Sequence, residues 1–406
     1  MNKANRNTQS EILCPVCGSS GLRVFYEVAD VPTNCNILWK SKDAAINCPK
    51  GHIKLAFCST CSYITNLALE PEKNKYTNLY DNSLFYSPHF QNFSREFATN
   101  LIQRYDLHGK DIIEIGCGKG GTGDFLTLLC ELGNNRGLGF DPTYSKAQAQ
   151  KQDREIKNKV RYISNFFSKR AEDYKADFIF SWHVLEHMNF PKKFLSTLQR
   201  MIRNHSKTHV FFSVPNALND FEKVLFLDII YEHCSYFTPY SLAFIFSSCG
   251  FSVSEITEIE EGPSICIDAY PGKQKISDLK QELNFNIVKV EERIMSFAVQ
   301  SRIIIEKFRN RLLHLLDEGQ RVVVWGAGAR GVTFLNTFKD PRIVYAVDIN
   351  PRKQGMYIPG IGQMIVGPKF LLDYQPDFIV VVNPVYENEI KQLAESLGIK
   401  SNYISI

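Results

Sequence analysis

The chain has 406 residues, of which 44% are hydrophobic and 22% charged, the proportions of an ordinary folded protein and not of a disordered, collagen-like or coiled-coil chain. Its length predicts two or three domains. The formal net charge is only +4, so nothing points to a nucleic-acid partner, which calls for a clustered basic face.

The opening residues MNKANRNTQS are polar, and no uncharged apolar run reaches the roughly 18 residues that a bilayer-spanning helix needs. The longest runs, such as Phe378-Ile-Val-Val-Val382, suit buried strands. Eleven thinly spread cysteines read as thiols or metal ligands and not as a disulfide framework. A reducing, cytoplasmic protein without a membrane partner is expected. Its oligomeric state stays open.

Residues 1–75 lack long periodic helices and carry Cys14-x-x-Cys17 and Cys58-x-x-Cys61. Two such turns supply the four thiolates of a closed tetrahedral zinc site, which stabilises a fold and leaves no position for a substrate. Cys48 and His52 are alternative ligands, and a core of free thiols is the other reading. Cys35 reads as structural.

Between about 76 and 270, the apolar runs Asp111–Ile115, Gly137–Phe140, Asp177–Phe180 and His209–Ser213 alternate with amphipathic stretches. This pattern predicts βαβ units and a mainly parallel sheet. Ile112 to Gly120 reads as a strand running into a glycine-rich turn, followed by a helix from Phe125. Ligands of open α/β sheets bind outside such strand ends. Asp141 ends the next strand, where an acid typically holds ribose hydroxyls. Further on, Glu232-His233 lies among aromatic residues. An imidazole titrates near neutrality, and an adjacent carboxylate steadies its protonated form, so the pair suits a general base.

From 271 to 318, apolar residues from Leu279 to Leu315 recur at three- and four-residue steps. They predict a linking helix or helix pair that stops near Gly319. Its apolar face either packs on neighbouring domains or forms a dimer. Residues 319–406 open a second α/β unit. Arg321–Trp325 runs into Gly326-x-Gly328-x-x-Gly331, with Asp348 ending the following strand, a dinucleotide-type fingerprint.

Glu114-Ile-Gly-Cys-Gly-Lys-Gly120 resembles motif I of the class I S-adenosylmethionine-dependent methyltransferases. Ser181-Trp-His183-Val-Leu-Glu-His187 resembles their fourth-strand motif. That resemblance implies Glu114 on the first strand, Gly116, Gly118 and Gly120 against the cofactor, and Asp141 on its ribose. The order of CxxC–CxxC, methyltransferase core, Glu-His-x-x-Tyr-Phe and C-terminal α/β unit resembles the zinc-containing nucleotide-sugar C-methyltransferases. Trp325-Gly-Ala-Gly-Ala-Arg-Gly331, Val347 to Gly355 and Pro359-Gly360 carry this most specifically.

The resemblance implies an α/β fold with a small N-terminal zinc-binding domain (1–75) and a central Rossmann-like class I methyltransferase domain (76–270). A linking helix or helix pair (271–318) and a C-terminal Rossmann-like α/β domain (319–406) complete it. S-adenosylmethionine and a structural Zn2+ are the implied cofactors. The implied substrate is a nucleoside-diphosphate-linked 4-keto deoxysugar. Its ketone acidifies a neighbouring C–H, His233 removes that proton, Glu232 supports His233, and the enolate takes the methyl group. Tyr231, His183 and His187 join them as candidate catalytic residues. Tyr80, Tyr86, Tyr236, Arg330 and Lys353 fall on the substrate side. Ile230 stands where the family has tyrosine, and His183 where it has asparagine. The alternatives are O- or N-methylation of a related sugar nucleotide, a nicotinamide-dependent oxidoreductase using the second glycine turn, and a non-catalytic zinc-stapled binding module.

Overall fold

The computed structural model describes residues 12–406 apart from 75, 78, 120–123, 145–157, 168–173, 206, 260–263 and 284. The described residues form three sheets. The first begins with β1 (Leu22–Pro32), β2 (Lys50–Cys58) and β3 (Ile64–Asn66), paired antiparallel. Ile53, Leu55 and Phe57 alternate along β2 and are buried, the period-two pattern of a sheet with one packed face.

The central sheet holds β4 (Asp111–Ile115), β5 (Arg136–Phe140), β6 (Val160–Ile163), β7 (Phe178–Trp182), β8 (His209–Pro215), β10 (Phe251–Ile259) and β11 (Ser264–Pro271). Their order is β10-β11-β8-β7-β4-β5-β6, and only β11 runs against its neighbours. The chain moves outward from β4 first through β5 and later through β7. A crevice therefore opens at the carboxyl end of β4, where the strand order reverses. The remaining short strand, β9 (Ser235–Tyr236), belongs to neither flank of this sheet. It pairs with β3 and becomes the fourth strand of the first sheet.

The third sheet is parallel throughout, in the order β14-β13-β12-β15-β16. Its strands are β12 (Val322–Trp325), β13 (Tyr345–Val347), β14 (Met364–Val366), β15 (Phe378–Val381) and β16 (Asn402–Ser405). The second glycine turn follows β12, again at a reversal of strand order.

The linking segment is a pair of helices, Ile276–Glu282 and Ile287–Asp317. The side chain of Asn286 caps the second by accepting the N–H groups of Val288 and Lys289. Gly319, at φ +79°, follows its end in the left-handed conformation that glycine adopts freely. Phe297 on this helix meets Tyr26 of β1 at 4.9 Å and Phe221 at 4.8 Å between ring centroids. Phe308, three turns on, meets Phe334 and Phe338 of the C-terminal unit. The helix face thus packs on three units at once. One apolar cluster runs from Leu55 and Phe57 through Ile230 and Phe297 to Val324 and Val380, so the segments seen in sequence share a core.

Candidate active site

A cleft of about 960 Å³ opens at the carboxyl ends of β4, β5 and β7. Gly116, at φ +87°, turns the chain out of β4, and its N–H donates to the carbonyl of Phe140 at 2.8 Å. A Cβ there would lie 2.2 Å from Cγ2 of Val184, so only glycine fits. Gly118, at φ +65°, donates its N–H to Oδ2 of Asp141 at 2.9 Å. Among the described residues no atom lies within 4 Å of the position its Cβ would take, and Gly118 lines the cleft. Oδ1 of Asp141 accepts the N–H and hydroxyl of Thr143 at 2.7 and 2.6 Å. Glu114 is buried beneath the turn, with Oε2 lacking a hydrogen-bond partner among the described residues. Burial, reinforced by Asp124 and Asp141, holds its carboxyl well above the usual carboxylate range. The structure therefore brings Glu114, Gly116, Gly118 and Asp141 to one cleft. Gly120 lies outside the described residues.

A second cleft of about 430 Å³ lies between the central sheet and the third sheet. The two share a wall that includes Tyr80, Tyr86, Trp182, His183 and His187. His233, Glu186, Arg330 and Lys353 line the second cleft. His183 follows directly after β7 at φ +51°, and its Nε2 is 2.9 Å from Oγ of Ser264. Nδ1–H of His187 donates to the backbone carbonyl of Glu232 at 3.1 Å. A carbonyl only accepts, so this contact fixes the tautomer and leaves Nε2 of His187 with its lone pair. That nitrogen lies 3.8 Å from Oε1 of Glu186. The rings of His187 and His233 meet edge to face at 4.9 Å.

Burial sets the electrostatics. It lowers His183 and His187 to about 4. It lowers His233 well below the usual imidazole range, and the two neighbouring histidines lower it further. All three are therefore neutral at pH 7, the state in which an imidazole accepts a proton.

Several expected residues point elsewhere. The Glu232 carboxylate, 0% exposed, accepts the N–H of Cys35 at 2.8 Å and makes no hydrogen bond to an imidazole of this wall. Only its backbone carbonyl meets an imidazole of the wall, that of His187. Burial raises its pKa, and the hydrogen bond from Cys35 opposes that rise. The hydroxyl of Tyr231 accepts the N–H of Glu70 at 2.8 Å, and its ring covers Gly51. The hydroxyl of Tyr236 donates to the carbonyl of Ile230 at 3.1 Å, and its ring lies 5.6 Å from that of His233. Neither tyrosine is among the residues lining the clefts, because pairing of β9 with β3 carries this stretch into the first sheet. Arg330 stands in the cleft wall but forms a bidentate pair with Asp228 at 2.7 Å on both oxygens. Lys353, 5% exposed, donates to the carbonyl of Ala327 at 3.1 Å beside the second glycine turn.

Two residues escaped the sequence reading. Asp81 is buried and pairs with Arg352 at 2.7 Å and Lys119 at 3.5 Å. It also accepts from Nδ2 of Asn350 at 3.1 Å, tying the first glycine turn to the third sheet. Glu186 sat inside the fourth-strand motif, but nothing in sequence tells a buried acid from a solvated one.

Away from both clefts, the Sγ atoms of Cys14, Cys17, Cys58 and Cys61 all lie within 4.8 Å of one another. Cys14–Cys61 and Cys17–Cys58 are 3.7 and 3.5 Å apart. A zinc tetrahedron with sulfur at about 2.3 Å requires edges of about 3.8 Å, so the four thiols fit the ion. His52 and Cys48 are not in this cluster, and Nδ1 of His52 accepts the N–H of Asp30 instead.

Residues 89–256 match the family described as a methyltransferase domain, and residues 269–404 match the C-methyltransferase C-terminal domain. Both matches are to methyltransferase families, and they lie one after the other along the chain. The chain is 25% identical over 189 residues to the C-methyltransferase NovU of Streptomyces niveus, an alignment covering 44% of this chain and 45% of that protein. The chain thus spans less than half the length of the curated relative it matches. Among solved structures it is similar to magnesium protoporphyrin IX methyltransferase from Synechocystis PCC 6803. That match has 18% identity and a TM-score of 0.34 and covers 45% of this chain and 84% of that one. An O-methyltransferase family protein from Burkholderia thailandensis matches at 12% identity and a TM-score of 0.34, covering 46% and 59%.

The neutral histidines make a pH prediction. Between about pH 6.5 and pH 4 the folded chain holds fewer protons on His183 and His187 than the unfolded chain does. Stability is therefore lost as pH falls through that window, by on the order of 2–3 kcal/mol for each group. His183→Asn should shrink that loss in urea denaturation measured from pH 7 to pH 4. An unchanged pH dependence would contradict the burial of a neutral His183.

Proposed function

We propose that the protein is an S-adenosylmethionine-dependent C-methyltransferase acting on a nucleoside-diphosphate-linked 4-keto deoxysugar. The observation that carries this reading is the shared wall. One face of His183 and His187 belongs to a cleft with a methyltransferase glycine turn, and the other to a cleft closed by the third sheet. The C-methyltransferase C-terminal match over the residues of that third sheet supports placing the acceptor there. The larger cleft has the volume of a site for a drug- or nucleoside-sized ligand.

The cofactor supplies an electrophilic methyl group. Gly116 and Gly118 let the backbone approach it, and Asp141 offers carboxylate oxygens to the ribose end. On the acceptor side, His233 removes the proton beside the ketone. The resulting enolate carbon forms the new C–C bond as the sulfur–methyl bond breaks, and His233 then releases its proton to solvent. Glu232 acts through the backbone: by holding the N–H of Cys35 it fixes the loop that carries His233. The main catalytic contributions are alignment of two bound molecules and stabilisation of the enolate oxygen. We further assign Cys14, Cys17, Cys58 and Cys61 to a structural zinc, which the closed four-thiolate set suits.

Three outcomes are expected. Gly118→Val should abolish S-adenosylmethionine binding in calorimetry, since its side chain would enter the cleft from a backbone at φ +65°; retained affinity would move the cofactor elsewhere. Elemental analysis should find about one zinc per chain, with the metal lost in Cys58→Ser, whereas a metal-free wild type would remove the zinc assignment. His233→Ala should keep cofactor affinity but transfer methyl groups roughly 10²–10⁴ times more slowly. A fully active variant would shift the base to His183 or His187.

A further inference from the structure

Glu186 stands on the turn after β7, within the 3-10 segment Leu185–His187. It is 1% exposed and lines the second cleft but not the first. Neither carboxyl oxygen has a hydrogen-bond partner among the described residues. The titratable groups facing it are His187, with Nε2 at 3.8 Å, His233, Tyr76 and Cys234. No lysine or arginine among the described residues acts on it. A carboxylate buried without a cation or a donor is strongly unfavourable, so the group takes up a proton. Burial indeed pushes it up to about 8.

We propose that Glu186 is a catalytic residue of the acceptor cleft, a neutral carboxylic acid that donates its hydrogen bond to the oxygen of the developing enolate. This rests on the C-methylation reading above. The geometry suits the task. A ketone oxygen and the hydrogen on the adjacent carbon are neighbours, so the groups that serve them must stand roughly 4–6 Å apart. The ligand atoms of Glu186, His187 and His233 all lie within 4.8 Å of one another. His187 is not the donor here, because its N–H is already given to the carbonyl of Glu232. The proton count closes. His233 takes the carbon-bound proton while the O–H of Glu186 bonds to the oxygen that gains charge. When the carbon attacks the methyl group the carbonyl reforms, Glu186 keeps its proton, and His233 returns its own to water.

Two measurements on the full chain test this. The first is infrared difference spectroscopy of wild type against the isosteric Glu186→Gln, with no ligand added. The expected result is a protonated-carboxyl band at pH 7, absent from the variant and lost in wild type as pH rises past about 8. Absence of that band at pH 7 overturns the proposal. The second uses S-adenosylmethionine and a thymidine-diphosphate-linked 4-keto-6-deoxyhexose. Glu186→Gln keeps a donor and should stay within about tenfold of wild type. Glu186→Leu should fall by roughly 10²–10³ with unchanged cofactor affinity and melting temperature, the loss typical of an oxyanion donor. Equal losses in both variants would mean that Glu186 works ionised, as a base or a cation ligand, and overturn the proposal. So would a fully active Glu186→Leu. If wild type itself transfers no methyl group to that sugar, the functional reading fails, and the infrared band still decides whether Glu186 is neutral.

Discussion

The short stretch Ile230–Tyr236 is held in place by hydrogen bonds with three other parts of the chain, and the arrangement of both clefts depends on that. Its end pairs with β3 as the fourth strand of the first sheet. Asn66 donates its N–H to the carbonyl of Cys234, and Cys234 donates its own to the carbonyl of Glu186 at 2.8 Å. The carboxylate of Glu232 accepts from Cys35. His233 is thereby fixed against the turn that carries Glu186 and His187. The four-cysteine corner lies at the edge of this same first sheet, with Cys58 ending β2 and Cys61 just before β3. The zinc proposed there would brace the sheet that holds the loop, although none of the four cysteines lines a cleft.

The two clefts are unequal, and their chemistry differs accordingly. The larger is floored by positive-φ glycines and an aspartate that already receives one of their N–H groups, and aromatic side chains such as Phe125, Phe140 and Trp182 wall it. The smaller is bounded by imidazoles and a carboxyl group that burial keeps uncharged, so it is poised to move or share a proton. Asp81 couples them mechanically. Its pairs with Lys119 and Arg352 join the first glycine turn to the third sheet across a point where Tyr80 faces both spaces.

Much of this was legible in sequence because it is local. The paired CxxC turns, the strand-to-glycine turn at Ile112–Gly118, and the helix ending before Gly319 each follow from spacing within a few residues. The strand limits agree closely, Asp111–Ile115 being the same in sequence and structure. What failed to read was non-local or directional. A two-residue strand such as β9 has no periodicity, and its partner β3 lies in a different segment of the chain. Adjacent placement of Glu232 and His233 suggested a contact, yet Tyr231 and Glu232 form a turn closed by the N–H of His233 on the carbonyl of Ile230, and the carboxylate went to Cys35. Tyr231 and Tyr236 looked like site residues because aromatics near a histidine suit a binding site equally well as a core. The burial of Glu186 depends on the packing of three segments and has no local signature.

His233, which lines the second cleft beside the shared wall, is assigned the removal of a carbon-bound proton. The most direct test of that role is hydrogen exchange in deuterated water, without a methyl donor, on a nucleotide-linked 4-keto deoxysugar followed by mass spectrometry. Wild type should introduce one deuterium beside the ketone, and His233→Ala should not. Exchange at the wild-type rate in His233→Ala would contradict that role.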